Sequence, residues 1–161
     1  MIFTSKEFVL AAGLAVSAFC SGRAWGEDLQ GDFRLPMLKK FFTSYRSPLA
    51  VHAADFLTAS DRVGLDWRLL PSLVIIESGG RNIRNNNVFG WGNGYSRFRS
   101  VADSIGVVAE CLANKLPYKG KTLEEKMKAY NPRRRDYGAI VSRMMSRIYT
   151  DPADSDVAGD N

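Results

Sequence analysis

In the middle of this chain an apolar run ends in a carboxylic acid: Leu70-Pro71-Ser72-Leu73-Val74-Ile75-Ile76-Glu77-Ser78-Gly79-Gly80. Leu70, Leu73, Val74 and Glu77 stand at i, i+3, i+4 and i+7, so on a helix the acid shares a stripe with three aliphatic side chains. Carboxyls are seldom buried without a partner, and burial favours their protonated form. Gly79-Gly80 reads as a helix C-cap, which sets Glu77 in the last turn, where the negative end of the helix dipole acts in the same direction. A carboxyl that holds its proton near neutral pH is suited to general-acid work. A helix-terminal Glu paired with a base such as Arg81 is the bland alternative, and burial pattern alone does not separate the two.

The neighbourhood favours chemistry. Asn85-Asn86-Asn87-Val88-Phe89-Gly90-Trp91-Gly92-Asn93 follows almost at once, then Tyr95 and Phe98. Amides interleaved with rings are what a sugar-binding cleft is made of, although Phe89 is expected in the core and Trp91 fits either role. Arg81, Arg84, Arg97 and Arg99 flank the stretch and suit an anionic polymer. Trp91, Tyr95 and Phe98 with these arginines would also suit single-stranded nucleic acid, a reading the export signal described below argues against. There is no zinc spacing, no phosphate loop and no Ser-His-Asp arrangement, so neither a metal nor a cofactor is expected. His52 is the sole histidine; with no nucleophile or ligand partner nearby it reads as a packing residue.

Helices must position these groups. Pro48 opens one from Leu49 to about Val63, with Leu49, Ala53, Phe56 and Leu57 on its apolar face and Gly64 as the stop. Asp66 is the expected N-cap of the Glu77 helix, with Pro71 in or near its first turn. Arg81 to Arg99 is an irregular loop expected to fold over the end of that helix, with at most a short hairpin. Ser100 caps a helix carrying Val101, Ile105, Val108 and Leu112, which stops before Pro117. Thr122 and Glu125 have capping-box spacing and head a helix that Asn131-Pro132 ends. A last helix from about Asp136 to Tyr149 turns Ile140, Val141, Met144 and Ile148 inward.

The 161 residues suffice for one domain with small appendages. Residues 1–26 read as a secretory signal peptide: Lys6, the apolar run from Phe8 to Phe19, then Ala24-Trp25-Gly26. The run is too short to span a bilayer, so no stable membrane insertion is expected, and the large Phe19 argues against lipoprotein processing at Cys20. Cleavage leaves Cys111 as the only thiol, read as a small buried hydrophobe. Residues 27–47 form a lead-in with one short helix after Pro36. Residues 27–149 hold 20 Lys/Arg against 12 Asp/Glu, and the tail 150–161, expected to be disordered, holds four Asp and no base. A basic exported domain, periplasmic or extracellular, suits an anionic wall polymer.

Taken in order, Glu77-Ser78-Gly79, Asn86-Asn87-Val88-Phe89-Gly90-Trp91, Phe98-Arg99-Ser100 with Ser104-Ile105, Tyr130-Asn131-Pro132 and Tyr137 resemble the bacterial endo-β-N-acetylglucosaminidase family that cleaves peptidoglycan. Ala129-Tyr130-Asn131 is also similar to a motif of soluble lytic transglycosylases, which share the lysozyme-like fold and a single catalytic Glu followed by Ser. The resemblance implies a mainly α, lysozyme-like domain over residues 48–149, acting as a monomer on peptidoglycan glycan strands and not on nucleic acid. It implies that Glu77 is the catalytic acid, and that Tyr137 and Tyr130 line the reaction centre and bond the acetamido group or the acid. Asn87, Phe89 and Gly90 would shape the cleft, and Ser78, Trp91, Phe98 and Asn131 complete the expected substrate-binding set.

One departure bears on mechanism. Two-carboxylate glycosidases set a second acid across the scissile bond, yet Ser78 through Ala102 contains none; Asp103 is the first. Either the substrate's 2-acetamido group attacks the anomeric carbon, or Glu77 acts as acid and then base to form an anhydro product, unless Asp103 or Asp136 folds close to Glu77. A non-catalytic wall-binding or assembly module is the rival from another class.

Overall fold

The structure is a computed structural model that describes residue 29 and residues 31–149; the expected signal peptide and acidic tail lie outside the described residues. Six α-helices follow in order: α1 Arg34–Ser44, α2 Ala53–Val63, α3 Leu69–Ser78, α4 Val101–Asn114, α5 Leu123–Tyr130 and α6 Tyr137–Ser146. Short 3₁₀ turns occupy Pro48–His52 and Arg84–Asn86, and no strand occurs among the described residues. The hairpin allowed for in the 81–99 loop is therefore absent.

Local chemistry sets most boundaries. Gly64 ends α2 in the left-handed conformation. The Ser100 hydroxyl accepts from the Asp103 amide at 3.0 Å to start α4, and Thr122 and Glu125 form a reciprocal capping box at the head of α5. Two starts differ from the sequence reading. The segment after Pro48 winds first as a 3₁₀ turn, with Ser47 capping the Leu49 amide, and becomes α-helical only at Ala53. Asp66 heads a turn rather than capping α3: its carboxylate accepts from the Arg68 amide at 3.0 Å and pairs with the Arg68 guanidinium, and α3 begins at Leu69 with Pro71 in its first turn.

α3 lies at the centre. Every residue from Leu69 to Ile75 is buried, so the helix is apolar nearly all round and must be enclosed by others. α6 and α2 pack against it, α4 packs on α2, and α5 on α6. The lead-in is not an appendage: α1 packs on α2 and the 3₁₀ turn before it, and buries Leu38, Phe41 and Phe42 in the common core. Phe42 meets Phe56 of α2 with ring centroids 5.1 Å apart. Arg34 at the head of α1 bridges Asp32 and Asp61, at 2.6 and 2.7 Å, which ties it to the last turn of α2. Cys111 is buried in α4, where burial raises its thiol pKa, and it packs as a small hydrophobe. No helix among the described residues is long and apolar enough to cross a membrane.

Candidate active site

Glu77 is in the last turn of α3, half-buried. It is thus more open to solvent than its stripe of Leu70, Leu73 and Val74 suggested, because the stripe reaches the surface as the helix ends. The end is fixed by two successive left-handed glycines: Gly79 N–H donates to the Ile75 carbonyl at 2.8 Å and Gly80 N–H to the Val74 carbonyl at 3.2 Å. Gly80 does a second job. Its carbonyl accepts from the Ser47 hydroxyl at 2.6 Å, and a Cβ built on Gly80 would stand 2.5 Å from that oxygen. The end of α3 is therefore locked against the start of the 3₁₀ turn at Pro48, a contact across 33 residues that no local motif announced.

The partner of Glu77 comes from α6. The Tyr137 hydroxyl donates to Glu77 Oε1 at 2.6 Å, a short bond across the α3–α6 contact. Tyr137 is buried, and burial, this hydrogen bond and the charge of Glu77 hold its phenol protonated well above the ordinary tyrosine range. Tyr130, the last residue of α5, stacks on Tyr137 with centroids 5.8 Å apart and planes within 10°. It too is held protonated, first by burial and then by the charge of Glu77. Trp91 continues the wall, 6.1 Å from Tyr130. Three rings from the loop, α5 and α6 thus run in sequence toward one carboxylate. The Trp91 indole N–H is buried and has no hydrogen-bond partner among the described residues.

The loop is held by its own amides. Asn87 is buried; its Nδ2 donates to the carbonyls of Trp91 and Ser96 at 2.8 and 3.2 Å, and its Oδ1 accepts from the Trp91 amide at 2.8 Å. Asn86 Nδ2 donates to the Phe98 carbonyl at 2.9 Å, and the Phe98 amide to the Asn85 carbonyl at 3.1 Å, closing the base of the loop. Asn85, Asn86, Gly90, Gly92, Asn93 and Gly94 all have positive φ, which explains the Asn/Gly composition: these residues bear the left-handed conformation at least cost.

Several residues of the expected substrate-binding set also have contacts within the protein. Asn87 spends its amide within the loop. Phe89 is fully buried and meets Phe56 edge-on at 6.4 Å, and Phe98 is half-buried against the core. The Ser78 hydroxyl turns back to the Val74 carbonyl at 3.3 Å. Gly90 is half-buried in the middle of the loop, and Asn131 is half-buried at the C-cap of α5. The candidates for a second carboxylate are each held by an arginine. Asp103 accepts from the Arg99 amide at 3.1 Å and pairs with its guanidinium, and Asp136 pairs with Arg134 at 3.1 Å. His52 is half-buried and bonded through Nδ1 to Asp55 at 2.8 Å. No group of His, Cys, Asp and Glu among the described residues could hold a metal ion.

The arrangement offers one positioned carboxyl at a helix end, a phenol that stays a donor at neutral pH, and an aromatic wall beside them. No protein family matches this chain, and no curated protein or solved structure matches it either.

Proposed function

We propose that this protein is an exported, lysozyme-like enzyme that cleaves β-1,4 bonds between amino sugars in peptidoglycan, with Glu77 as proton donor. The observation that carries the reading is the 2.6 Å bond from Tyr137 to Glu77, made between residues 60 apart in the chain. Holding one carboxylate oxygen fixes the plane of the carboxyl, so that a proton can be delivered along one direction to a leaving oxygen. Tyr137 acts through Glu77 as a positioning residue. Tyr130 and Trp91, both buried, pack in turn behind Tyr137 and hold its ring in place.

Because the stretch from Ser78 through Ala102 supplies no second acid, the reading takes a mechanism with one protein carboxyl. Glu77 protonates the leaving oxygen. The anomeric carbon is then captured either by the substrate's own acetamido oxygen, with water entering afterwards, or by the sugar's 6-hydroxyl as Glu77 takes the proton back. The purified protein incubated with cell-wall sacculi tests the reading. Release of soluble muropeptides that Glu77→Gln abolishes is the expected result; no release by the wild type, or undiminished release by the variant, sinks it. Mass spectrometry separates the routes, since anhydro ends are one water lighter than reducing ends.

A further inference from the structure

The arginines around the candidate site are not scattered. Asn86 and Phe98 close the base of the loop, which brings Arg97 and Arg99, flanking Phe98, beside Arg84. Arg133, Arg134 and Arg135 fill the turn between Tyr130 at the end of α5 and Tyr137 at the start of α6, the two stacked rings of the site. All six are exposed. Arg135 stands two residues before Tyr137, whose hydroxyl is bonded to Glu77, so this turn leads directly into the partner of the candidate acid. Arg99 and Arg134 each have one carboxylate partner, whereas the side chains of Arg84, Arg97, Arg133 and Arg135 have none among the described residues. The sequence supplies no acid from Ser78 through Ala102 or from Lys126 through Arg135. Folding gains nothing from crowding like charges at a surface, and the self-repulsion counts against the compact state.

Resting on the functional reading above, we infer that these two arginine groups form a carboxylate-binding rim, and that the preferred substrate is glycan bearing its peptide stems rather than bare glycan. Guanidinium groups match carboxylates in a planar, two-pronged fashion. Peptide stems repeat carboxylates along the strand, beside the sugar chain and not within it. A rim flanking the half-buried carboxyl of Glu77 meets them while the sugar chain lies over that carboxyl, the three rings being buried behind it.

The test separates binding from cleavage. In the full chain carrying Glu77→Gln, affinity is measured by cosedimentation with intact sacculi and with chitin, a β-1,4 N-acetylglucosamine strand that carries no carboxylate, at low and high salt. The same measurement is made after adding Arg84→Gln, Arg97→Gln, Arg133→Gln and Arg135→Gln, with thermal unfolding confirming that the variant folds. The expected result is a roughly tenfold loss on intact sacculi, little change on chitin, and a flattened salt dependence. Unchanged affinity for sacculi, the same loss on both materials, or equally tight rim-dependent binding of a single-stranded oligonucleotide would overturn the inference. Cleavage by the wild type is scored separately. Rim-dependent binding to sacculi without cleavage removes the enzyme reading and keeps the rim, and cleavage with rim-independent binding does the reverse.

Discussion

Glu77 and Trp91 stand at opposite ends of the same aromatic wall, yet they are positioned by different physics. Glu77 rides on a helix whose sides are enclosed by packing, and its carboxyl is set by a contact between distant helices. Trp91 rides on a loop without regular structure, set by one buried amide side chain and a run of left-handed residues. The first arrangement spreads its stability over many apolar contacts, so single polar losses there are small. The second concentrates it in a few hydrogen bonds, so a single loss there is large.

Asn87→Ala is the sharpest way to break the contrast. It deletes three hydrogen bonds at once and strands buried backbone groups, at a cost of roughly 3 kcal/mol in urea unfolding, with Trp91 fluorescence changing before the global transition. Gly80→Ala comes next, because it puts a Cβ against Ser47 in a left-handed conformation. It should cost about 2 kcal/mol by thermal unfolding, while Gly79→Ala, with open space around its Cβ, bears only the backbone strain and costs less.

Tyr137→Phe removes the hydroxyl but keeps the stacked ring. It should lower stability by about 1 kcal/mol or less, yet reduce turnover of sacculi through kcat with little change in KM. A fall in stability far beyond that figure would mean that the bond holds the α3–α6 contact together rather than orienting an acid.

The smallest effect on stability, and the most diagnostic for burial, is Tyr118→Phe. Its hydroxyl is buried with no hydrogen-bond partner among the described residues, so removal should be neutral or slightly stabilising at pH 7. Burial pushes the Tyr118 phenol up to about 12 from an ordinary 10.0. The folded state therefore holds the proton that the unfolded chain gives up, and stability falls as pH rises from about 10 toward 12. Buried Tyr130 and Tyr137 add to that fall in the same direction. Urea midpoints measured from pH 9 to 12 should show a shallower decline in Tyr118→Phe than in the wild type.

What could be read from the sequence follows the range over which each interaction acts. The Thr122–Glu125 box, the Ser100 cap and the Gly64 and Gly79 stops involve neighbours a few residues apart, and their geometry follows from residue type. Glu77 and Tyr137 were singled out, but that they touch depends on how α3 and α6 pack, which periodicity does not encode. How Asn87 shapes the loop could not be read, because an amide in an Asn-rich stretch looks alike whether it faces a ligand or the loop's own carbonyls. The Ser47–Gly80 lock and the place of α1 in the core gave no signal, since both rest on contacts between segments with no distinctive local pattern.

The most direct test of the central claim is the turnover of intact sacculi by Glu77→Gln beside the wild type, with matched thermal unfolding curves. Loss of a positioned general acid predicts a folded variant whose rate falls by roughly 10²-fold or more. A folded variant that releases muropeptides at the wild-type rate would contradict the account.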